Sequence, residues 1–224
     1  MAPRFTLLDA SFDDDHAGRN FRRAFDADVE RFAVREGELP ADPDRFDAAV
    51  LSGSRAGVGD DAAWIADERA WVGRAFEADL PLLGVCFGHQ LLAAALGGRV
   101  EPMGEWEVGY HEVQHATAPL FDGVDEWFTV FTVHEDAVTR LPLGARLLAA
   151  NNYCVQSFAR PPAFGVQFHA EFPVDSAAHV MRERGLPERH VERVVGQLED
   201  GRHDDVETAR RVLHNFEAYA RERR

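Results

Sequence analysis

The run Leu80-Pro81-Leu82-Leu83-Gly84-Val85-Cys86 is apolar without alternation, and residues 88–96 follow it at once as a helix that Gly97-Gly98 stops. A strand with no polar face must be buried on both sides. That condition is met inside a parallel sheet covered by helices above and below. The same grammar precedes it. Residues 4–9 and 46–51 read as short buried strands that end at polar or Gly/Ser turns, and residues 31–35 as a further strand. Residues 18–29 and 62–78 carry apolar positions at helical spacing. Residues 99–168 are strand-rich, at 127–133, 146–150, 155–159 and 164–168. From Pro173 the chain is helical, most clearly over 206–223. The expected fold is α/β: a doubly wound, mostly parallel sheet with helices on both faces and a C-terminal helical extension. Residues 1–184 are expected to form this domain, with residues 185–224 a helical extension packed on it. A chain of 224 residues, 46% hydrophobic, can fill such a core.

The strand–helix junction also carries chemistry. Gly84 and Gly88 flank Cys86 at two residues on either side, as in a nucleophile elbow. A sharp turn lifts the thiol above the sheet, and neighbouring chain can approach only where no side chain intervenes. The helix that follows offers free N–H groups and a positive dipole end, which lower a thiol pKa and can hold an oxyanion. Taken alone, Cys86 could equally be an inert buried thiol. A base comes from Phe164-Gly165-Val166-Gln167-Phe168-His169-Ala170-Glu171. Residues i and i+2 of an extended segment share a face, so Glu171 can fix the tautomer of His169 and leave its other nitrogen for a thiol.

These two segments, Gly84 to Gln90 and Gly165 to Glu171, resemble the class I glutamine amidotransferases, in particular the glutaminase part of GMP synthase and stand-alone γ-glutamyl peptidase-like relatives. Ser52-Gly53-Ser54 stands where that family has its oxyanion loop. Pro119-Leu120-Phe121, Val133 to Val138, Leu141-Pro142 and His214-Asn215-Phe216 follow its order. The resemblance covers residues 5–175 and part of the last helix. It implies a triad of Cys86 as nucleophile, His169 as base and acid, and Glu171 as orienter. It further implies an oxyanion hole from the backbone of Gly53, Ser54 and Phe87, with Gln90, His134 and Asp136 near the substrate. Two positions depart from the family pattern: Ala170 replaces a proline between histidine and glutamate, and the loop reads Gly53-Ser54-Arg55. The implied reaction hydrolyses the γ-amide of glutamine, or a γ-glutamyl compound, through a Cys86 thioester, and needs no metal or organic cofactor. The ammonia would pass to a separate synthetase subunit such as that of GMP synthase. The alternatives are a γ-glutamyl peptide hydrolase without such a partner and a non-catalytic regulatory subunit.

Composition narrows the partners. With 39 acidic residues against 24 basic ones, all arginine, the net charge of −15 disfavours nucleic acid and anionic membranes. The balance fits a salt-rich cytoplasm, or a GC-rich genome that favours arginine codons; the charge argument prefers the first. No apolar run reaches membrane-spanning length and the N-terminus turns acidic early, so the expected location is the cytoplasm, where Cys86 and Cys154 are free thiols. His111-Glu112-Val113-Gln114-His115 matches the zinc-protease pattern, which works only on a helix. Trp106, Tyr110 and Val113 have helical spacing, but Gly104, Gly109 and Pro119 interrupt, so strand or surface histidines are expected. Asp13-Asp14-Asp15-His16 reads as a charged loop rather than a cation site, and Cys154 as a small core residue.

Overall fold

In a computed structural model, residues 2–12, 15–199 and 203–223 are described. Nine strands form one sheet in the order β2-β1-β3-β4-β9-β8-β7-β5-β6. Its first half is parallel: β2 (Asp28–Ala33), β1 (Arg4–Asp9), β3 (Ala48–Leu51), β4 (Leu82–Val85) and β9 (Ala163–Val166). The strands β8 (Val155–Arg160), β7 (Arg146–Ala150), β5 (Arg99–His115) and β6 (Trp127–Arg140) continue it antiparallel. Every residue of β3, β4 and β9 is buried, as their unbroken apolar sequences require of central strands.

Helices cover both faces. On one side α1 (His16–Ala24) and α6 (His203–Glu222) pack with Phe5, Phe21, Phe164 and Phe216 in one core. On the other, α2 (Ala63–Glu77) and α3 (Phe87–Ala95) bury Ile65, Trp71, Phe87 and Leu91. The Trp71 indole donates to the Pro40 carbonyl at 2.7 Å, so the largest buried side chain keeps its one polar atom paired. A third cluster joins α4 (Val174–Glu183) and α5 (Glu188–Glu199) to the β5–β6 hairpin through Met181, Val191, Val194, Tyr110 and Phe131. Among the described residues no helix is long and apolar enough to cross a membrane.

Several local expectations shift. The helix expected over 18–29 ends at Ala24, because Phe25 turns into extended backbone and β2 starts at Asp28 rather than residue 31. The segment holding His111 and His115 is one long strand. Gly104 and Gly109 are both at positive φ; the β5–β6 register shifts across the stretch that holds Gly104 and runs unbroken through Gly109.

The arrangement matters for one reason. The strands β3, β4 and β9 are neighbours and parallel, so the residues just beyond their carboxyl ends meet at one edge of the sheet.

Candidate active site

Cys86 leaves β4 with φ 54° and ψ −109° and is the first residue before α3. This backbone is strained for any residue but glycine, a cost of about 1–3 kcal/mol that the surrounding packing must offset. The flanking glycines have separate reasons. A Cβ on Gly84 would lie 2.3 Å from the Gly88 carbonyl oxygen, and a Cβ on Gly88 would lie 2.3 Å from that of Leu51. The Cys86 N–H is held by the Val166 carbonyl at 2.9 Å, which ties the elbow to β9. The first amide of α3 belongs to Phe87 and has no partner within the helix.

Beyond β9, the His169 N–H donates to the Phe131 carbonyl at 2.9 Å, and its ring stacks on Phe172 with centroids 4.1 Å apart. Its Nδ1 pairs with Glu171 Oε1 at 2.7 Å, both side chains nearly buried. That leaves Nε2 for the thiol. The loop after β3 closes the group: a Cβ on Gly53 would stand 2.8 Å from Cε1 of His169 and 3.5 Å from Cβ of Cys86. Gly53, Cys86 and His169 therefore converge at contact distance, although they are far apart in sequence.

The electrostatics follow from this packing. Burial alone would lower the imidazole pKa, but the Glu171 carboxylate and the Cys86 sulfur outweigh it and push His169 up to about 10. Burial alone would raise the thiol; the charge and hydrogen bond of His169, with help from Arg184 and His134, bring Cys86 below its ordinary value. The two shifts describe one thiolate–imidazolium pair.

The loop itself is fixed from several sides. Ser54 Oγ donates to the Ala10 carbonyl at 2.8 Å and accepts from the Ala56 N–H, while Arg184 donates to the Ser54 carbonyl at 2.9 Å. The Gly88 N–H donates to the Ser52 carbonyl at 3.1 Å and so clamps loop to elbow. In front of Cys86 opens a cleft of about 650 Å³, walled by Phe87, Gln90, His134, Asp136, Trp106 and Arg184 among others. All three residues expected near the substrate thus border it. The polar ends of Gln90 and His134 are engaged within the protein. Gln90 Nε2 donates to the Asp136 carbonyl at 2.8 Å and to Gln167 Oε1 at 3.1 Å, and His134 contacts Glu107 and the Asp136 carbonyl.

Of the remaining sequence patterns, the paired histidines fall on a strand as expected, and Cys154 departs from its expected place in the core. His111 and His115 share a strand face about 13 Å apart, too far for one ion. His115 is spent on the backbone of Ala116, Val124 and Asp125, and His111 packs on Tyr153. Asp13 and Asp14 lie outside the described residues, and Asp15 pairs with Arg22 and Arg31. Cys154 is only partly buried, and its thiol is pushed up to about 12 by burial and by Glu107, so it is neither a plain core residue nor a second nucleophile. Arg184, Phe172 and Glu107 were not legible as site residues. Arg184 borders the cleft from the end of α4, Phe172 stacks on His169 just ahead of that helix, and Glu107 meets His134 across the antiparallel β5–β6 pair.

The model of the family described as glutamine amidotransferase class-I matches residues 20–186, well over half of the chain. The chain belongs to the class I glutamine amidotransferases. This amidotransferase is 44% identical over 101 residues to a glutamine-hydrolysing GMP synthase of Lactobacillus delbrueckii subsp. bulgaricus, covering 43% of this chain and 20% of that one. It is 42% identical over 130 residues to that of Thermus thermophilus, covering 57% and 25%. The chain spans a quarter or less of the length of these two curated relatives. Among solved structures, a glutamine amidotransferase from Thermotoga maritima superposes with a TM-score of 0.80 at 19% identity, covering 97% of this chain and 99% of that one. A glutamine amidotransferase from Methylobacillus flagellatus gives 0.72 at 21% identity, covering 96% and 93%. At such identities the likeness speaks for the fold.

Proposed function

We propose that this amidotransferase hydrolyses the γ-amide of glutamine through a thioester on Cys86. The observation that carries the reading is the convergence of the strained elbow thiol with a glutamate-held imidazole over a side-chain-free Gly53. The thiolate attacks the amide carbon, and the N–H groups of Phe87 and of the Gly53–Ser54 loop take up the oxyanion, each worth about 3–4 kcal/mol in comparable sites. Imidazolium His169 protonates the departing ammonia, leaving a glutamyl thioester. The now neutral ring then draws a proton from water, which attacks the thioester and releases glutamate and the Cys86 thiol. Glu171 holds the ring's tautomer and its positive charge. Gln90, His134 and Asp136 shape the wall against which the glutamyl group lies. The similarity to glutamine-hydrolysing GMP synthases favours a synthetase as the acceptor of the ammonia.

A second reading has one observation in its favour. The cleft of about 650 Å³ greatly exceeds the room that one glutamine needs, and Arg184 stands at its rim. A γ-glutamyl peptide would use that space, with its leaving portion beside the guanidinium. The deciding experiment incubates the purified protein with glutamine and, separately, with γ-glutamyl dipeptides, and measures glutamate release with and without Cys86→Ala. Release from glutamine that vanishes in the variant supports the proposal; release that survives it refutes the thioester. Faster turnover of the dipeptides than of glutamine moves the assignment to the second reading.

A further inference from the structure

Behind the cleft wall lies a polar cluster of which the proposed hydrolysis uses only His134, as part of that wall. It joins Glu107 of β5, His134 of β6, Asn151 and Cys154 between β7 and β8, and Gln156 of β8. The Glu107 carboxylate is wholly buried. It accepts from Asn151 Nδ2 at 2.6 Å and from Gln156 Nε2 at 2.8 Å, and it faces His134 Nε2 at 2.8 Å. Cys154 Sγ lies 3.9 Å from Oε2 of the same carboxylate. One donor atom from each of Glu107, His134 and Cys154 falls within 4.8 Å of the others.

Two features go beyond an ordinary hydrogen-bond network. Both ring nitrogens of His134 face acceptors, the Asp136 carbonyl at 3.0 Å and the Glu107 carboxylate. A neutral imidazole has one N–H. With Nδ1 turned to the carbonyl, Nε2 is the ring atom left to the Glu107 carboxylate. A backbone carbonyl that fixes Nδ1–H is also how metal-binding histidines are oriented. The second feature is Gln156. Its side chain is wholly buried, its Nε2 crowds Glu107, Asn151 Oδ1 and Cys154 Sγ, and its Oε1 has no partner among the described residues. Turning the amide about its last torsion puts an oxygen donor where the nitrogen now lies.

We propose that Glu107, His134 and Cys154 bind a divalent ion of the zinc class, with the Gln156 amide oxygen as fourth donor. Carboxylate, imidazole and thiolate together suit Zn²⁺ and disfavour Mg²⁺ or Ca²⁺, which prefer all-oxygen sets. On uptake a metal–sulfur bond forms as the Cys154 S–H bond breaks, and that proton leaves to water. The ion bonds His134 Nε2 and Glu107 in place of their direct contact, and any proton on Nε2 leaves to water with that of Cys154. Cys154, partly exposed, leaves a way in. The ion would take no part in the triad. Its influence would run through Asp136, whose carbonyl contacts His134 and also holds Gln90 in the cleft wall.

The test uses metal-stripped, reduced protein titrated with Co²⁺ and then Zn²⁺. One Co²⁺ per chain is expected, with a thiolate-to-cobalt charge-transfer band that Zn²⁺ abolishes. The band should persist in Cys86→Ala, disappear in the near-isosteric Cys154→Ser, and need at least about tenfold more Co²⁺ in Glu107→Gln. Circular dichroism checks that each variant is folded. Binding below one equivalent, or a band that follows Cys86 instead of Cys154, overturns the proposal. The readout is the metal's own absorption, so protein with no glutaminase activity that still gives the Cys154-dependent band sustains the site.

Discussion

Gly53 is the position at which an added side chain would meet the proposed catalytic imidazole itself. A methyl group there would meet the His169 ring at 2.8 Å, and the ring cannot retreat, being stacked on Phe172 and bonded to Glu171. Gly53→Ala is expected to lower kcat by about 10²-fold or more, since displacements near 1 Å cost that much, while the melting temperature stays close to wild type. Retained activity would place the reacting groups elsewhere. The ionisation of the pair gives a second prediction. In the proposed mechanism, activity needs the Cys86 thiolate and the His169 imidazolium together. The rate should therefore rise as pH passes the lowered thiol value and fall as His169 loses its proton near about 10. Glu171→Gln removes the first charge that holds up the imidazolium, so the alkaline limb should move to lower pH, with kcat reduced by about 10²–10⁴-fold. An unmoved alkaline limb would assign it to a group other than His169.

At the scale of the elements, the elbow was legible because its constraints are local: two glycines, one thiol and a strand that becomes a helix. His169 and Glu171 were legible for the same reason, as neighbours on one extended segment. Arg184 closes α4 and reaches back to Ser54, a relation no local pattern encodes. β5 was harder to read, because its glycines spoil the strict alternation that marks a strand and the surviving apolar positions happen to fall at helical intervals, yet the expected strand histidines are what the fold holds. Helix α2 hides a further surprise. Glu68 occupies its apolar stripe beside Ile65, Trp71 and Val72, with neither carboxylate oxygen hydrogen-bonded among the described residues. Burial first, and the charge of Asp9 second, push its pKa well above the ordinary value of 4.5. The folded chain thus holds this proton more tightly than the unfolded one. The benefit is complete below 4.5 and is lost as pH rises above it. Glu68→Leu should raise thermal stability by about 1–3 kcal/mol near neutral pH, with the gain shrinking toward mildly acidic solution. A gain that does not vary with pH would show that the carboxyl group's ionisation is not its source.

Over the whole molecule, the charge of −15 loads the compact state with self-repulsion. Screening should relieve it. Raising sodium chloride from millimolar to molar levels is expected to stabilise the fold by about 1–2 kcal/mol, or roughly 2–8 °C in melting temperature. A flat salt response would leave arginine-rich codon usage as the simpler reason for the composition. The α/β architecture itself was legible from its buried strands. The antiparallel half was less so, because strand direction depends on long-range pairing that composition does not report. That half has a consequence for how such a chain can diverge. β4 and β9 are neighbours, yet residues 99–160 run out and return between them, and this excursion supplies much of the cleft wall, from Val100 to Trp106 and from His134 to Asp136. The reacting groups stay on strand ends outside it. Under the proposed function, selectivity and chemistry are therefore inherited on separate stretches, and the excursion can be lengthened, trimmed or exchanged while the elbow and its histidine remain in place.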